Sequence, residues 1–290
     1  MVSIPPSLHP YIHLVRLDKP VGILLLYIPC LWGIALCEPN LSWQTIVVWS
    51  TVFLIGAIVM RSAGCILNDL FDARIDAQVE RTKTRPLAAG TLNKYQALAA
   101  FGVCLLGGGI VWLFLAPLAK LIALGALVLL CVYPLMKRVF VFPQLILGLA
   151  FNAGVLIVVT HFDPSLFNTP KPYILYVAGI FWTLYYDTIY ALQDVGDDVL
   201  IGVKSTAVYF RDSIKKALIF FYMMLSLCIT YLGYLLGADY WFYLAILLGI
   251  VVDVGVELRR LDPQNSRQVA HLFMQSVLVG LAIVFLILWP

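Results

Sequence analysis

The sequence predicts an all-α protein, a polytopic membrane bundle of about nine transmembrane helices. Composition is the first reason. Of the 290 residues, 62% are hydrophobic and only 12% are charged, and the mean hydropathy of +0.95 lies outside the range of soluble globular domains. The second reason is that the apolar residues form runs of about 20, the length that an α-helix needs to cross a bilayer.

Nine such runs can be marked along the chain. They cover about residues 20–37, 46–66, 95–116, 118–135, 143–161, 173–192, 216–237, 240–256 and 271–289. Two of the turns between them, at Ala116-Pro117 and around Gly237, are so short that each flanking pair of runs could be one interrupted helix. No linker or soluble domain interrupts the pattern, so we expect residues 1–290 to form a single membrane-embedded domain.

The basic residues predict the orientation of the bundle, because short cytoplasmic loops are enriched in Lys and Arg. With a cytoplasmic N-terminus, only Lys120 and Lys171 of the 19 Lys and Arg residues fall in outer loops, and Arg61 lies inside a helix. This distribution indicates an inner N-terminus, an outer C-terminus and an odd number of helices. The net charge of +3 then reflects contact with an anionic lipid bilayer, and no basic run indicates a nucleic-acid surface.

The first twenty residues contain neither the hydrophobic core of a secretory signal peptide nor the pattern of an organellar transit peptide. We therefore expect a multi-pass protein of a bacterial inner membrane, with its polar loops on the cytoplasmic side.

Two inner loops, about residues 68–94 and 193–215, are longer and more polar than the others. Each opens with clustered carboxylates and continues into basic residues, RTKTRPLAAG in the first and IGVKSTAVYFRD in the second. The repetition predicts two related four-helix halves that face each other around a central cavity, with a ninth helix added.

The carboxylates in these loops have the spacing of a metal site. On a helix, Asn68, Asp72 and Asp76 lie on one face, and Asp194 and Asp198 have the same four-residue spacing. Oxygen ligands without His or Cys favour Mg²⁺, which usually binds a few carboxylates together with phosphate oxygens of a substrate. For one isolated cluster, solvated acids at a helix end would be the simpler explanation. Two clusters at equivalent positions favour a magnesium–diphosphate site.

A diphosphate would also need positive charge from the protein. Six basic residues in or near the two loops could supply it: Arg81, Lys83, Arg85, Lys137, Arg138 and Lys204.

Arg61 and Asp187 are charged residues inside predicted helices. A charge near the centre of a membrane helix costs about 3 kcal/mol, so such residues usually face the bundle interior. Arg61 precedes Asn68 by seven positions, and Asp187 precedes Asp194 by seven, so each projects from the same face as the acids but about 10 Å deeper. The pair would suit a small substrate with an acid and a donor group. Alternatively, Arg61 and Asp187 neutralise each other.

The segment NDLFDARID resembles the NDxxDxxxD motif of the UbiA superfamily of intramembrane prenyltransferases, and DVGDD resembles the second motif, DxxxD. The flanking segments MRSAGCIL and YDTIYALQ, together with YPLMKR and RLDKPVG, are similar to the 4-hydroxybenzoate polyprenyltransferase branch. The resemblance covers nearly the whole chain. It implies a nine-helix bundle, Mg²⁺ dependence, and transfer of a polyprenyl group from polyprenyl diphosphate to the carbon ortho to the hydroxyl of 4-hydroxybenzoate, a step of ubiquinone biosynthesis.

The same resemblance implies roles for individual residues. Two Mg²⁺ ions would be held on the diphosphate by these motif residues: Asn68, Asp72, Asp76, Asp194 and Asp198. Asp69 is one position off the ligand face and would act from behind the ligands. Arg61 could hold the benzoate carboxylate. Either Asp187 or Asp194 could polarise the phenol or accept the ring proton, and the sequence does not choose between them.

Two other functions remain compatible with the sequence at this point. A prenyltransferase with a different acceptor would keep the aspartates and change the acceptor pocket. A cation-coupled transporter would also contain paired half-bundles and intramembrane carboxylates. The sequence determines neither the length of the prenyl chain nor the oligomeric state.

Overall fold

The structure is a computed structural model that describes residues 5–290. Residues 1–4, part of the N-terminal segment from which we inferred the location, lie outside this part of the chain. The described residues contain thirteen α-helices and no β-strand. In chain order the helices are α1 (His9–Leu14), α2 (Val21–Cys37), α3 (Trp43–Asp76), α4 (Lys94–Leu113), α5 (Pro117–Val139), α6 (Pro143–Phe151), α7 (Ala153–Phe162), α8 (Lys171–Ala191), α9 (Val195–Ile201), α10 (Thr206–Tyr209), α11 (Ile214–Leu236), α12 (Tyr240–Ile250) and α13 (Ser266–Leu288).

The prediction of an all-α membrane bundle is confirmed. Between residues 5 and 290, eight helical segments are long and apolar enough to cross a membrane: Val21–Asn40, Trp43–Asp76, Lys94–Leu113, Pro117–Val139, Pro143–Phe162, Arg211–Leu236, Tyr240–Leu258 and Ser266–Leu288. The remaining predicted span, 173–192, corresponds to α8, which has 21 residues but is not among these eight segments. The number of crossings and the sides on which the termini lie stay predictions.

Both short turns separate distinct helices. Pro117 is the first residue of α5, a position where its missing N–H leaves no hydrogen bond unmade. Gly237, with φ +75°, ends α11, and the Asp239 carboxylate then caps α12 by accepting from the backbone of Trp241 at 2.9 Å. The predicted span 143–161 differs, because Asn152 divides it into α6 and α7.

The first acidic motif is helical, which corrects the predicted start of its loop at residue 68. Helix α3 continues through Asp76, because no proline or glycine interrupts the chain between Cys65 and that residue. The predicted loop 68–94 is therefore a loop only after α3 ends. The extension makes the four-residue spacing of the motif a real helical face.

The second predicted loop, 193–215, contains two short helices, α9 and α10. Asp194 is the residue before α9, and the backbone N–H of Asp198 donates to its carbonyl at 2.8 Å. The second motif therefore lies across a helix end.

Two buried tryptophans fix α13 to the rest of the bundle. The Trp32 indole of α2 donates to the carbonyl of Gly280 at 2.8 Å, and the Trp182 indole of α8 donates to the carbonyl of Ser276 at 3.0 Å. Both side chains are fully buried, so these bonds satisfy indole N–H groups that would otherwise be costly to bury. The core thus joins α2, α8 and α13 beside the cavity described next.

Candidate active site

A cavity of about 810 Å³ lies inside the bundle and is lined by residues of both acidic motifs. Its first wall is α3, its second wall comprises α8 and the segment after it, and parts of α2, α5, α6 and α13 complete it. The cavity also extends along α3 to Arg61, which lies seven residues before the motif.

On the first wall, Asn68, Asp72 and Asp76 all line the cavity. The Lys137 ammonium, from the end of α5, lies 2.9 Å from Oδ1 of Asn68 and 3.5 Å from Oδ2 of Asp72. A guanidinium nitrogen of Arg138 is 3.7 Å from the other oxygen of Asp72. The helix therefore presents an amide oxygen and carboxylates that already share cations.

Asp69 faces a different set of partners. Its carboxylate, 1% exposed, accepts from one guanidinium nitrogen of Arg16 at 2.9 and 3.0 Å and from Arg85 at 3.1 Å. Arg85 also donates to both oxygens of Asp76, at 2.8 and 3.0 Å. Burial by itself lowers the pKa of the Arg85 guanidinium, but the neighbouring carboxylates of Asp69 and Asp76 outweigh that effect and raise the pKa. Asp69 also lines the cavity, and it thus holds two basic residues beside the face that carries Asn68 and Asp72.

Arg16 has an unusual backbone. Its φ of +58° makes it the one non-glycine residue with a positive φ among residues 5–290. Such a conformation costs about 1 kcal/mol or more and persists where surrounding contacts enforce it. Here the contacts are the ion pair with Asp69 and a bond to the carbonyl of His13. The RLDKPVG segment is therefore part of the site, beyond any role as a membrane anchor.

On the second wall, the Arg81 guanidinium forms an ion pair with the Asp194 carboxylate. The guanidinium donates to both carboxylate oxygens, through Nε at 2.6 Å and through Nη2, and Nη1 donates to the Tyr190 hydroxyl at 3.1 Å. Burial next to Asp194 raises the pKa of Asp198 to about 6. Because Arg81 follows the first motif in the chain, this ion pair joins the two motifs across the cavity.

The donor chemistry fits a hard divalent cation. Among the described residues no group of three or more His, Cys, Asp or Glu side chains is close enough to hold a metal ion. Four of the five candidate ligands, all except Asp198, instead contact a Lys or Arg side chain. The Lys137 ammonium sits between the oxygens of Asn68 and Asp72, so a positive charge already occupies a position bounded by oxygen ligands. Oxygen-only donors of this kind suit Mg²⁺.

Deeper in the cavity lie Arg61 and Asp187. The Nε of Arg61 is buried and makes no hydrogen bond to any residue between 5 and 290, and its guanidinium carbon is 5.6 Å from the centre of the Phe151 ring. No ion pair within 4.0 Å joins Arg61 to Asp187 in the described part of the chain. In this part of the chain the two residues therefore do not form a direct ion pair.

Gly22, the last residue of the RLDKPVG segment, leaves room for the Arg61 side chain. A Cβ atom at this position would lie 2.6 Å from Nε of Arg61. Any larger residue would push the guanidinium away from the α2 backbone, so the glycine creates the space in which Arg61 lies.

Five of the six basic residues proposed for the diphosphate line the cavity: Arg81, Arg85, Lys137, Arg138 and Lys204. Lys83 does not. Its ammonium pairs with Glu80 at 2.6 Å, and half of its side chain is exposed. In the segment RTKTR, Lys83 therefore points away from the cavity, and we no longer include it among the proposed diphosphate-binding residues.

Sequence reasoning missed several residues of the site. Tyr133, Tyr186 and Tyr190 line the cavity but read as ordinary aromatic residues of apolar helices. Arg16, which pairs with Asp69, was not among the predicted site residues either. The two residues are 53 positions apart in the sequence, so no local sequence pattern indicates that they pair.

The fold and the cavity together define the class of protein. It is a helical membrane protein, and the carboxylates and guanidinium groups that line its cavity suit an anionic ligand. Comparison with known proteins identifies the family. The UbiA prenyltransferase family matches residues 26–285, and the chain belongs to it. It is thus a prenyltransferase, and the transporter interpretation is no longer needed.

Relatives and solved structures support this assignment. The mitochondrial 4-hydroxybenzoate polyprenyltransferase of Caenorhabditis elegans is 38% identical over 281 residues, covering 97% of this chain and 78% of that protein. The 4-hydroxybenzoate octaprenyltransferase of Alcanivorax borkumensis is 37% identical over 277 residues, covering 95% and 93%. A UbiA homolog from Archaeoglobus fulgidus, solved with GPP and Mg²⁺, has the same fold, with a TM-score of 0.71 at 18% identity over 96% of this chain and 99% of that one.

Proposed function

We propose that the protein transfers a polyprenyl group from polyprenyl diphosphate to the ring carbon ortho to the hydroxyl of 4-hydroxybenzoate. The observation that carries the proposal is the arrangement of one cavity. Oxygen ligands and basic residues lie together around its two motifs, and Arg61, whose Nε has no hydrogen-bond partner among residues 5–290, lies two helical turns deeper. Relatives that are 37–38% identical over most of the chain carry names for the same reaction.

The carboxylate walls would hold the metal. When bound, two Mg²⁺ ions would neutralise the diphosphate and make it a better leaving group. The residues that would hold them are Asn68, Asp72, Asp76, Asp194 and Asp198. To do so, all of these side chains except Asp198 must exchange their present Lys and Arg partners for the metal, which frees the basic groups for the diphosphate oxygens.

Five basic residues then face the leaving group: Arg81, Arg85, Lys137, Arg138 and Lys204. The allylic C–O bond breaks with its electron pair on the diphosphate oxygen, so negative charge develops there. Fixed guanidinium and ammonium groups stabilise such charge without having to reorganise, an effect of several kcal/mol.

The acceptor would lie deeper, against Arg61. A planar guanidinium can donate two parallel hydrogen bonds to a carboxylate, and the unpaired Nε supplies one of these donors. The Phe151 ring, 5.6 Å from the guanidinium carbon, provides an apolar surface for an aromatic substrate. The ring carbon ortho to the hydroxyl would then point toward the allylic carbon.

The new C–C bond forms from the ring π electrons, and the ring carbon must afterwards lose its proton to a base. Asp187 and Asp194 are the two candidates. Both oxygens of Asp194 already accept from Arg81, whereas Asp187 has no ion pair within 4.0 Å among residues 5–290. This difference supports Asp187 as the group that accepts the ring proton or polarises the phenol.

A membrane location suits this chemistry, because the allylic cation must meet the aromatic ring before water does. The isoprenoid tail would extend from the cavity between helices into lipid. We propose that the two acidic motifs lie on the cytoplasmic side of a bacterial inner membrane, as the distribution of Lys and Arg indicates.

The test is diphosphate release by the purified protein in lipid nanodiscs. We expect release only when a polyprenyl diphosphate, 4-hydroxybenzoate and Mg²⁺ are all present, and its loss on addition of EDTA. Arg61→Ala should raise the KM for 4-hydroxybenzoate about a hundredfold, since a charge-assisted pair is removed, and leave the KM for the diphosphate unchanged. An unchanged acceptor KM would remove Arg61 from this role, and failure of the wild type to release diphosphate would refute the proposed reaction.

A further inference from the structure

A chain of three buried polar side chains leads to the cavity from the interior of the bundle. Asn152 and Thr183 are fully buried, and Tyr186 is 1% exposed and lines the cavity. The Asn152 amide nitrogen donates to Thr183 Oγ1 at 2.9 Å, and the Thr183 hydroxyl donates to the Tyr186 hydroxyl oxygen at 3.2 Å. The chain therefore connects the break between α6 and α7 to α8.

The direction of these hydrogen bonds is fixed at one end. The same Asn152 nitrogen also lies 2.8 Å from the carbonyl oxygen of Gly148. A carbonyl oxygen can only accept, so the Asn152 atom beside it must be the amide nitrogen. Both amide hydrogens are then used, and Thr183 Oγ1 must accept from Asn152.

Thr183 has a single hydroxyl hydrogen, which it donates to Tyr186. The Tyr186 oxygen is thereby an acceptor within the protein, and its own hydrogen needs a different partner. Among residues 5–290, the Tyr186 hydroxyl makes only this one hydrogen bond, in which it accepts. Since Tyr186 lines the cavity, a bound molecule is where that partner can come from.

The surroundings of Asn152 are shaped for this side chain. A Cβ at Gly179 on the facing helix α8 would overlap the Asn152 carboxamide, so a glycine there creates the space. The position comes at a cost, because the Asn152 amide oxygen is buried without a partner in the described chain. Both N–H donors of the Asn152 side chain are used, whereas its oxygen has no partner among residues 5–290. This difference indicates that the N–H donors are the reason for an asparagine at this position.

Tyr186 and Arg61 occupy similar depths. Tyr186 precedes Asp194 by eight positions and Arg61 precedes Asn68 by seven, which is about two helical turns below each motif. Both line the same cavity; the Nε of Arg61 has no hydrogen-bond partner among residues 5–290, and the Tyr186 hydroxyl has only Thr183. Two free donors at one depth suit a ligand group with several lone pairs, which a carboxylate provides.

We propose that Asn152, Thr183 and Tyr186 form a hydrogen-bond relay that holds the Tyr186 hydroxyl as a donor to the carboxylate of an aromatic acid, next to the guanidinium of Arg61. The proposal rests on the proposed function and makes it more specific. Tyr186 is the residue that touches the acceptor, and Thr183 and Asn152 are positioning residues. The relay selects acids over neutral phenols, because a fixed donor gains most from a charged acceptor.

The test compares acceptor kinetics for 4-hydroxybenzoate and for the neutral analogue 4-hydroxybenzyl alcohol. Tyr186→Phe removes the donor and keeps the ring, so we expect the KM for 4-hydroxybenzoate to rise about tenfold, the lower end for a hydrogen bond to a charged group. The KM for the neutral analogue and for the prenyl diphosphate should change less than about twofold. Thr183→Val should raise the 4-hydroxybenzoate KM about threefold, and Thr183→Ser, which keeps the hydroxyl, should restore most of that loss.

Tyr176→Phe is the matched control. Tyr176 lies on the same helix and also uses its hydroxyl, which donates to the carbonyl of Leu149 at 2.9 Å, but it does not line the cavity. Its substitution should leave both acceptor KM values unchanged. If Tyr186→Phe leaves the 4-hydroxybenzoate KM unchanged, or raises it equally for the neutral analogue, the relay does not bind the carboxylate.

Calorimetric titration of wild type and Tyr186→Phe with 4-hydroxybenzoate separates this proposal from the proposed reaction. If wild type binds 4-hydroxybenzoate more tightly than the variant but transfers no prenyl group, the relay stands and the proposed reaction fails. If wild type transfers the group and both proteins bind equally, the reaction stands and the relay fails. If wild type neither binds nor transfers, both are overturned.

Discussion

The first acidic motif lies on one uninterrupted helix, whereas the second lies across a helix end. Helix α3 carries Asn68, Asp72 and Asp76 at a fixed four-residue spacing. Asp194 instead precedes the short helix α9, and its carboxylate is held by Arg81, a residue that follows the first motif in the chain. The first wall is therefore ordered by its own backbone, and the second is positioned by a side chain from the opposite half.

This asymmetry predicts which substitutions act locally and which act across the cavity. On α3, a lost carboxylate removes a proposed ligand but leaves its neighbours in position. At the second wall, loss of Arg81 should disturb a carboxylate that is far away in the sequence.

The largest effect is expected for Asp72→Asn. This residue is 7% exposed and has Lys137 and Arg138 as its partners, and the substitution removes both a proposed ligand and a buried negative charge. We expect kcat/KM to fall at least about 10³-fold, the range seen when a principal electrostatic contact is lost. Initial rates of prenyl transfer measure this, with Asp197→Asn, which does not line the cavity, as the control.

Arg81→Lys should come next. A lysine keeps the charge but cannot reproduce the two parallel bonds to Asp194 or the additional bond to Tyr190. We expect kcat/KM to fall about 30-fold, because Arg81, a residue of the first loop, holds Asp194 in position on the second wall. Activity within twofold of wild type would mean that α9 and its turn position Asp194 without help.

Asp69→Asn should have a smaller effect on activity than on stability. The buried carboxylate pairs with both Arg16 and Arg85, and an amide in its place leaves Arg16 without this counterion and Arg85 with Asp76 alone. Breaking a buried pair typically lowers the free energy of unfolding by about 3 kcal/mol. Denaturation in detergent micelles measures this loss. Wild-type stability would show that the ion pairs of Asp69 contribute little.

The smallest effect is expected for Lys83→Ala. Its exposed pair with Glu80 contributes little, and the side chain does not line the cavity. Activity should stay within about twofold of wild type, whereas Lys137→Ala, at a lysine that touches the first wall, should lose much more. A similar loss of activity in both variants would indicate that Lys83 also contacts the diphosphate.

The helices and both motifs were predictable because their signals are local. Apolar runs mark membrane helices, and the spacing of Asn68, Asp72 and Asp76 marks one face. Arg61 could be predicted to face the cavity for the same reason, since it lies two turns from Asn68 along one helix.

The features that sequence reasoning missed depend on tertiary contacts. The end of α3 at Asp76 could not be located from hydropathy, because the helix continues past the apolar run. The break at Asn152 has no proline or glycine at that position and is accompanied by hydrogen bonds to Gly148 and Thr183. The pair of Arg16 with Asp69 joins segments whose separation in sequence gives no pattern to read.

The account depends most directly on the identity of the product. We would incubate the wild-type protein in nanodiscs with Mg²⁺, prenyl diphosphates of several lengths and a panel of hydroxylated aromatic acids, and identify products by mass spectrometry and NMR. The account predicts 4-hydroxybenzoate carrying one prenyl group on the carbon next to its hydroxyl, with diphosphate released in equal amount. Prenylation of a different acceptor class, with 4-hydroxybenzoate left unmodified, would contradict it.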